Sequence, residues 1–572
     1  MKRTTTVPSL CLALLLAPAS LSARKVSSDL ASMAPDKTVD VIVQFVDPSL
    51  ENPLLKSNAS TKDDLALIGA RVYSVKAKDL AAVAEDPNIR YISFDRPVRG
   101  ALDYANEAAG ATLARSFGWD GSGVGVAVID SGVEDHIDLR GKSNGKSRVV
   151  YSASFVASRQ TNDPFGHGTH VAGILAGNGA AAGFPSATRR FWGIAPAAQI
   201  VNLRVLDETG SGTDSAVILA IDRAIALKSK YNIRVINLSL GRPVFESYLK
   251  DPLCQAVERA WKAGIVVVAA AGNEGRNNSA GNEGYGTIAA PGNDPYVITV
   301  GAMKTMTTPS RADDLIASYS SKGPTAIDHI AKPDLVAPGN RLISLLAGRN
   351  SSLWAGYPGN VVPLSYYLGA STEASSPSYF KLSGTSMAAP MVSGAVALLL
   401  QKDPSLTPDQ VKARLMQTAS KAFPSYSLAA DPVTGQTFRS QYDLFTVGAG
   451  YLDIAAALHN GDRAAGSTMS PQARYNGADG TVSLVFATGA VWGTGAVWGT
   501  GAVWGTQVLS GTGAVWGTGA VWGTQMTAGF GAVWGTGAVW GTSSSGSSQG
   551  GLSSLTSIGM PEAIAIAIRG EN

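Results

Sequence analysis

A serine in a turn of small residues is the first residue that could carry chemistry. Ser386 follows Gly384 and Thr385 and comes just before the apolar stretch of residues 391–400. A helix N-terminus has unpaired backbone N–H groups that favour negative charge, so a serine there suits nucleophilic attack. A serine in this position more often only caps the helix. The nucleophile interpretation therefore depends on what else the chain provides.

A histidine and an aspartate occur in equally specialised settings. His167 lies between two glycines, which let other groups approach its ring closely. Asp130 ends the near-continuous apolar run of residues 123–130, a pattern typical of a strand buried on both faces. In open α/β sheets, sites form at this end of the strands. A turn aspartate that caps the next loop is the alternative, and Asp130 alone does not decide between them.

Two more polar residues lie at the ends of predicted elements. Asn273 follows a predicted strand over residues 265–271, and its amide could donate to an oxyanion or be an ordinary loop amide. His170 comes three residues after His167, and the two could hold a metal ion. No nearby Glu or Cys completes such a set, and the His-Glu-x-x-His pattern is absent. We therefore expect His170 to be a packed helix residue.

The elements between these residues alternate between strand and helix. Strands are predicted over residues 199–206 and 234–240, and helices over residues 213–230 and 247–262. This alternation is typical of a parallel sheet with helical crossovers. It predicts an α/β fold in which Asp130 and Asn273 both lie at carboxyl ends of strands.

Four motifs carry a resemblance to a known family. They are Val-Ile-Asp-Ser-Gly at 128–132, His-Gly-Thr-His-Val-Ala-Gly at 167–173, Ala-Ala-Gly-Asn at 270–273 and Gly-Thr-Ser-Met-Ala-Ala-Pro at 384–390. In this order they resemble the subtilisin-like serine proteases, or subtilases, over residues 110–460. The resemblance implies a parallel-sheet catalytic domain with helices on both faces. The reaction it implies is hydrolysis of peptide bonds in proteins.

The resemblance also implies a role for each motif residue. Ser386 is the nucleophile, His167 the general base and Asp130 the group that orients the imidazole. Asn273 and the Ser386 backbone N–H bind the oxyanion. Two segments flank the first substrate side chain, and their backbones are expected to pair with an extended substrate: Ser239, Leu240 and Gly241, and Ala270, Ala271 and Gly272.

No cofactor is expected for the chemistry itself. Asp138 matches a position that ligates calcium in some relatives, but the loop over residues 178–190 lacks their usual ligand pattern. A structural calcium ion is thus left open. Residues 346–380 form a long insertion rich in Ser, Gly, Tyr and Pro just before the nucleophile. We expect this insertion to shape the cleft or cover it.

The N-terminal part predicts export and processing. Residues 1–23 combine a basic start, a short apolar core and small residues, the pattern of a signal peptide. Residues 37–98 predict a small α+β module, with helices over 61–69 and 78–85, that resembles the inhibitor-type propeptide of subtilases. Self-cleavage is expected between Pro97 and Ala114. Cys254 would then be the single remaining cysteine, and we expect it to be a packing residue in a helix.

A hexapeptide repeat follows the predicted catalytic domain. Gly-Ala-Val-Trp-Gly-Thr occurs seven times within residues 489–542, and its tryptophans recur in one phase. The pattern predicts an ordered β-repeat, although a flexible spacer or an expansion without a role stays open. Exposed tryptophans would suit contact with glycan, cell envelope or another copy of the chain. A Ser/Gly-rich tail, residues 543–572, follows, with a strand predicted over 563–568.

Composition excludes few function classes. The net charge of +3 and the lack of a dense basic run give nucleic-acid binding no support. The predicted function is that of a secreted, extracellular serine endopeptidase made as a self-processed zymogen, with its own propeptide as inhibitor. The alternative is a catalytically weak surface protein that binds through the tryptophan repeat.

Overall fold

The computed structural model describes residues 25–95, 97–100, 108–476, 481–485, 508–509 and 567–571, apart from short gaps within the first and third of these ranges. The gaps are residues 28–29, 31–32, 34, 51, 142–143, 184–188, 280–281, 307, 309, 369–376 and 432–433. The predicted signal peptide and nearly all of the hexapeptide repeat therefore lie outside the described residues. The chain divides into two compact units, Met1–Phe94 and Asp95–Asn572.

The smaller unit is a four-stranded antiparallel sheet with two short helices. Its elements are β1 (Thr38–Phe45), α1 (Pro53–Asn58), β2 (Ser60–Leu65), β3 (Ala70–Lys76), α2 (Leu80–Ala84) and β4 (Ile89–Phe94). The strand order is β2-β3-β1-β4. Alternate residues of β1, such as Val41 and Val43, pack into a core with Leu80 and Val83 of α2. The unit is thus an α+β module with its own core.

One element of this unit differs from the prediction. The helix expected over residues 61–69 is wrong: residues 60–65 form the edge strand β2, and the helix comes earlier. Pro53 stands at the start of α1, and the Asn52 side chain accepts hydrogen bonds from the backbone N–H groups of Leu54 and Leu55. All of β2 except Leu65 is exposed, so no apolar alternation marked it as a strand.

The larger unit contains the remaining strands and helices. Its strands are β5 (Pro97–Gly100), β6 (Gly125–Asp130), β7 (Val149–Ser154), β8 (Gln199–Arg204), β9 (Ser211–Thr213), β10 (Ile233–Leu238), β11 (Leu240–Gly241), β12 (Val266–Ala270), β13 (Ile298–Lys304), β14 (Leu315–Ile316), β15 (Leu335–Pro338), β16 (Leu342–Leu345), β17 (Tyr379–Leu382), β18 (Tyr426–Ala430), β19 (Thr437–Gln441), β20 (Gln472–Asn476), β21 (Thr481–Val485) and β22 (Val508–Leu509). Its helices are α3 (Ala111–Ser116), α4 (His167–Ala176), α5 (Asp214–Ala226), α6 (Lys228–Tyr231), α7 (Pro252–Lys262), α8 (Ser352–Gly356), α9 (Ser365–Leu368), α10 (Thr385–Lys402), α11 (Pro408–Thr418), α12 (Leu444–Val447) and α13 (Ile454–His459).

A mostly parallel sheet organises this unit, as the alternation of elements predicted. Its strand order is β14-β13-β12-β10-β6-β8-β7, with β15 pairing with β13. All pairs are parallel except β13 with β14. Helix α10 packs on β10, β12 and β13 and against α4, and α5 packs against α7. The carboxyl ends of β6 and β12, which precede the predicted site residues, therefore face the same edge of one sheet.

A second, three-stranded sheet lies beside the predicted substrate-binding segment. β5 is its middle strand, between β9 and β11. In the antiparallel register, Gly100 pairs with Leu240 and Arg99 with Gly241. On the other edge, Arg99 pairs with Ser211 and Val98 with Gly212. Residues 97–100 thus form an extended strand that is hydrogen-bonded along both edges.

Three smaller predictions can be compared with the described residues. Cys254 lies buried in α7, where its Sγ contacts Asn293 Oδ1 at 3.3 Å, which confirms a packing role. Residues 567–569 are helical, so the strand predicted over 563–568 is wrong at its described end. Of the repeat region only β22 is described, in an interruption between hexads, and it pairs with β21. Within the described part of the chain, no helix has the length and apolar character that a bilayer crossing needs.

Candidate active site

Asp130 and His167 meet at the carboxyl end of the central strand β6. Asp130 is the last residue of β6 and His167 the first of α4. His167 Nδ1 lies 2.5 Å from Asp130 Oδ1, and both side chains are buried. The Ser131 N–H donates to the same carboxylate oxygen at 2.7 Å. The carboxylate accepts from Nδ1–H, which fixes the tautomer and the orientation of the imidazole.

Glycine is needed where His167 approaches the strand. A Cβ on Gly168 would lie 2.1 Å from the Gly132 carbonyl oxygen and 3.1 Å from Asp130 Cβ. Gly166, which precedes the helix, has a φ of +103°, a conformation that side chains disfavour. The two glycines around the histidine are therefore explained by close approach on one side and by backbone conformation on the other.

Asp163 is a site residue that the sequence reasoning missed. Its buried carboxylate accepts from the backbone N–H groups of Gly166 (2.7 Å) and Thr169 (2.8 Å) and from Ser131 Oγ (2.7 Å). Burial raises the pKa of Asp163, and these hydrogen bonds act in the opposite direction. Asp163 thus joins the end of β6 to the start of α4. Its position shortly before a helix was the available signal, because Asp is a preferred N-terminal capping residue.

Ser386 is the second residue of the buried helix α10. The turn before it depends on Gly384, whose φ is +146°. The Ser386 hydroxyl donates to the Ser239 carbonyl oxygen at 3.0 Å.

A proline inside α10 links the nucleophile to the predicted substrate segment. Pro390 has no N–H to donate to the carbonyl of Ser386, four residues earlier. The Ser239 hydroxyl donates to that carbonyl at 2.5 Å. Asn237 Nδ2 donates to Ser239 Oγ at 2.9 Å, and Ser393 Oγ donates to Asn237 Oδ1 at 2.8 Å. Sequence reasoning missed this network, although a proline within an apolar helix was a visible signal.

Asn273 has the orientation that an oxyanion donor needs. Its Oδ1 accepts from the Thr385 N–H at 2.8 Å and from Thr385 Oγ1 at 3.1 Å. Since a backbone N–H can only donate, this contact identifies the oxygen and so the direction of the amide. The buried Nδ2 has no hydrogen-bond partner among the described residues. A buried donor held in this way is available to a developing negative charge.

The two predicted substrate segments differ in how their backbones are used. Leu240 and Gly241 form β11 and pair with β5, as an extended substrate would. In the other segment, the Ala271 N–H donates to the Val300 carbonyl and the Gly272 N–H to Thr385 Oγ1. Residues 270–272 can therefore line a pocket, but these two N–H groups are not offered to a substrate strand. Backbone pairing of a substrate with residues 270–272 stays a prediction, and it would have to use other backbone groups of this segment.

Asp138 has its carboxylate oxygens engaged by protein donors. Oδ1 accepts from the Ala181 N–H at 2.6 Å, and Oδ2 accepts from the Tyr379 hydroxyl at 2.9 Å. These two hydrogen bonds explain the buried carboxylate without a bound ion. Among the residues that the structure describes, no group of three or more His, Cys, Asp or Glu could hold a metal ion.

His170 is packed in the core, as expected. Its Nε2 donates to the Phe380 carbonyl at 3.1 Å, with the Leu342 carbonyl at 3.3 Å. Burial, and then the nearby His167, lowers the pKa of His170 to about 3. A neutral imidazole with a structural hydrogen bond explains this residue without a ligand.

The insertion over residues 346–380 packs on the loop that leads into α4. The Ser352 N–H donates to the Pro164 carbonyl at 2.8 Å, and the Leu353 N–H donates to the Phe165 carbonyl at 3.0 Å. Ser352 Oγ also donates to the Glu208 carbonyl at 2.6 Å. The described part of the insertion thus supports the His167 side of the site.

Comparisons with known proteins agree with this geometry. Residues 121–450 match the sequence profile of the Subtilase family. The chain is 38% identical over 355 residues to the serine protease AprX of Bacillus subtilis (strain 168), covering 59% of this chain and 71% of that protein. It is 34% identical over 360 residues to subtilisin E of the same organism, covering 62% and 76%.

A solved structure shows the same fold. The crystal structure of fervidolysin from Fervidobacterium pennivorans, a keratinolytic enzyme related to subtilisin, superposes with a TM-score of 0.54 at 22% identity. The match covers 75% of this chain and 62% of that one. At this identity the likeness concerns the fold alone. Together with the family match over more than half of the chain, these findings show that the chain belongs to the subtilase family of serine proteases.

Proposed function

We propose that this protein is a secreted serine endopeptidase that hydrolyses peptide bonds of proteins through Ser386, His167 and Asp130. The observation that carries the proposal is the buried 2.5 Å contact between His167 Nδ1 and Asp130 Oδ1, in a domain that also holds Asn273 Nδ2 as an unpaired donor. This arrangement combines an imidazole oriented by a carboxylate with a buried amide donor, and acyl transfer by a serine uses both.

Acylation follows from these positions. His167 Nε2 takes the proton of Ser386 Oγ as that oxygen bonds to the substrate carbonyl carbon. The carbonyl oxygen becomes an oxyanion, which accepts hydrogen bonds from Asn273 Nδ2 and from the Ser386 N–H near the start of α10. Asp130 stabilises the imidazolium. When the C–N bond breaks, the leaving amine takes the proton from His167, and an acyl ester remains on Ser386.

Deacylation uses the same groups with water as nucleophile. His167 Nε2 takes a proton from water as its oxygen attacks the ester carbonyl. The second oxyanion has the same two donors, and Ser386 leaves with the proton from His167. No step requires a metal ion or an organic cofactor, so we infer that the chemistry depends on side chains and backbone alone.

The pairing of β5 supports self-processing of a zymogen. Gly100 pairs with Leu240, so continuing the register by one residue would pair residue 101 with Ser239. The Ser239 carbonyl oxygen lies 3.0 Å from Ser386 Oγ, so the residue paired with Ser239 would bring its own carbonyl to the nucleophile. We therefore infer cleavage between Ala101 and Leu102, within the predicted interval of 97–114. The smaller unit would then act as the propeptide and, once released, as an inhibitor.

The hexapeptide repeat is assigned a separate role. Its tryptophans lie outside the described residues, and its hexads contain no Asp, Glu, His, Lys, Arg or Cys. We propose that it holds the secreted enzyme at glycan or cell-envelope material. A protein that acts only through the repeat, the alternative interpretation, would leave the geometry around Ser386 without a use.

A fluorophosphonate probe tests the proposal directly. The secreted protein is expected to be labelled at Ser386, and the Ser386→Ala variant to remain unlabelled and of precursor length. Mass spectrometry of the wild-type protein should find a mature N-terminus at Leu102. A folded wild-type protein that neither reacts with the probe nor cleaves a denatured protein would overturn the proposed activity.

A further inference from the structure

The last described residues of the chain end in a buried carboxylate. Glu571 is 1% exposed, although it is the penultimate residue of the sequence. Its Oε1 accepts from Arg276 Nη2 at 2.7 Å, and its Oε2 lies 3.2 Å from Lys304 Nζ. The Ser318 N–H donates to Oε1 at 3.0 Å, and the Ser318 hydroxyl makes a further short contact. Two cations and a serine thus surround one carboxylate.

The backbone of the same segment is also bound. A single side chain, Asn340, donates to the Glu571 carbonyl and accepts from the Glu571 N–H, both at 2.8 Å. Asn360 Nδ2 donates to the Ile568 carbonyl at 2.7 Å. Gly570 has a φ of +62°, and a Cβ there would lie 2.3 Å from Ser383 Oγ. Residues 567–571 therefore fit the larger unit as a peptide fits a specific site.

The cations that receive Glu571 are themselves buried. The side chains of Arg276 and Lys304 are 5% and 4% exposed. Arg276 also contacts Asp431 at 2.9 Å, so the two cations meet two carboxylates. Burial raises the pKa of Glu571, but the charges of Lys304 and Arg276 outweigh it and lower the pKa below its usual value. Removing a carboxylate from such a cluster would leave a buried positive charge without its partner.

The site touches both segments that carry the reaction. Arg276 follows Asn273 by three residues, and Ser383 precedes Ser386 by three. The Ser383 N–H donates to the Ala567 carbonyl at 2.7 Å. One short peptide thus holds the loop after the oxyanion residue through its carboxylate and the turn before the nucleophile through its backbone.

We propose that residues 567–571 are an intramolecular peptide ligand. In this proposal Glu571, bound between Arg276 and Lys304, is a positioning residue that keeps Asn273 and Ser386 at their positions relative to each other.

A second consequence concerns the repeat. Its N-terminal side is attached where the Ala473 N–H donates to the His329 carbonyl. In the sequence, the hexads then come between two segments that are both bound to the catalytic unit.

The first test uses the full chain and two matched variants. Glu571→Gln removes the buried charge, whereas Glu208→Gln makes the same change at an exposed carboxylate outside the bound segment. We expect Glu571→Gln to lower kcat about tenfold with KM unchanged, because the site geometry and not substrate binding is disturbed. Glu208→Gln should keep the wild-type kcat. Equal kcat values for Glu571→Gln and wild type would overturn the positioning role.

A second test does not depend on how the variant folds. A cleavage site for a sequence-specific protease is placed at residues 544–549 of the otherwise wild-type chain and cut after folding and purification. The C-terminal fragment should stay bound through gel filtration, and a synthetic peptide of residues 567–572 at millimolar concentration should displace it. A fragment that separates at once, with kcat unchanged, would overturn the proposal.

Discussion

Two buried polar clusters in the larger unit use hydrogen bonds in opposite ways. In the first, which we term the lysine cluster, Lys332, Asp334, Lys412 and Ser470 satisfy one another. Asp334 Oδ2 accepts from Lys332 Nζ at 2.7 Å, and its Oδ1 accepts from Ser470 Oγ at 2.5 Å. Lys412 Nζ donates to the carbonyls of residues 295 and 297 at 2.9 and 3.0 Å.

The catalytic cluster is left incomplete in comparison. Among the described residues, neither Asn273 Nδ2 nor Asp130 Oδ2 has a hydrogen-bond partner, although both atoms are buried. Leaving a buried polar atom unpaired costs about 1–3 kcal/mol, so such atoms are rare where only stability is at stake. The comparison teaches that the lysine cluster is built for stability, whereas the unpaired donor of the second cluster fits the proposed role in binding an oxyanion.

The largest expected effect is a loss of activity without a loss of stability, on substitution of Ser386. Ser386→Ala should lower kcat on the order of a million-fold, the size of loss known for this triad in a subtilisin. Its melting temperature should match that of the wild type, because the hydroxyl makes one hydrogen bond in the resting site. The kcat is measured by peptide hydrolysis and the melting temperature by thermal unfolding. Both proteins are produced without the propeptide, which is supplied as a separate chain for folding. Residual turnover within tenfold of wild type would contradict the assignment.

The second prediction is a loss of stability without a loss of activity. Asp334→Asn leaves Lys332 and Lys412 buried without their carboxylate, and the free energy of unfolding should fall by about 3–5 kcal/mol. The kcat of the folded fraction should not change. Urea unfolding compared with Asp462→Asn, which alters an exposed carboxylate, provides the measurement and its control. An unfolding free energy equal to that of the control would show that the lysine cluster does not hold the fold.

The third prediction concerns the reserved donor. Asn273→Ala should lower kcat by about 100- to 1000-fold with little change in KM, because Nδ2 acts on charge that develops only in the transition state. Thr385 loses an acceptor in this variant, so a modest loss of stability is expected as well. Steady-state kinetics below the melting temperature separates the two effects. A change confined to KM would mean that Asn273 binds substrate and not the oxyanion.

A smaller effect is expected at Asp294, which has an unpaired buried atom although it lies in neither cluster. Asp294 Oδ2 is buried without a partner among the described residues, yet Asp294 is outside the catalytic cluster. Burial raises the pKa of Asp294 to about 8, so we expect a neutral carboxylic acid that needs no counter-charge. The folded carboxyl then keeps its proton to about pH 8, whereas the unfolded one loses it near pH 4.

The sign of the pH effect follows from this difference. Between about pH 4 and pH 8 the folded state binds the extra proton, so the contribution of Asp294 to stability falls as the pH rises. Asn does not titrate, and the melting temperature of Asp294→Asn relative to wild type should therefore increase from pH 5 to pH 8. Parallel pH profiles for the two proteins would show that Asp294 is ionised in the fold.

The smallest expected effect is that of a chelator. Because Asp138 uses both carboxylate oxygens within the protein, EDTA should change neither kcat nor the melting temperature of the mature enzyme. A melting temperature that falls with EDTA and recovers with excess calcium would identify a calcium site and contradict this interpretation.

The positions of Asp130, His167 and Ser386 at the ends of their elements could be predicted because local rules govern their surroundings. Gly166 and Gly168 are needed for backbone conformation and close approach, and Gly384 is needed for the turn before Ser386. Such requirements leave short motifs in the sequence. The parallel sheet was predictable for a similar reason, since strands buried on both faces read as continuous apolar runs.

Other features depend on contacts that no local pattern records. The strand β2 is exposed and charged, so its pairing with β3 had no apolar alternation to reveal it. The contact between Ser239 and Ser386 spans 147 residues, and the one between Arg276 and Glu571 spans 295. Such partners become visible only when the fold brings the segments together.

The proline in α10 has a mechanical consequence. Because Pro390 frees the carbonyl of Ser386, the hydroxyl of Ser239 is fastened to the nucleophile's own backbone. The proposed nucleophile and the residue next to the proposed substrate strand β11 are therefore joined directly, through a side chain on one segment and a backbone carbonyl on the other. A displacement of either segment alone would have to break this hydrogen bond.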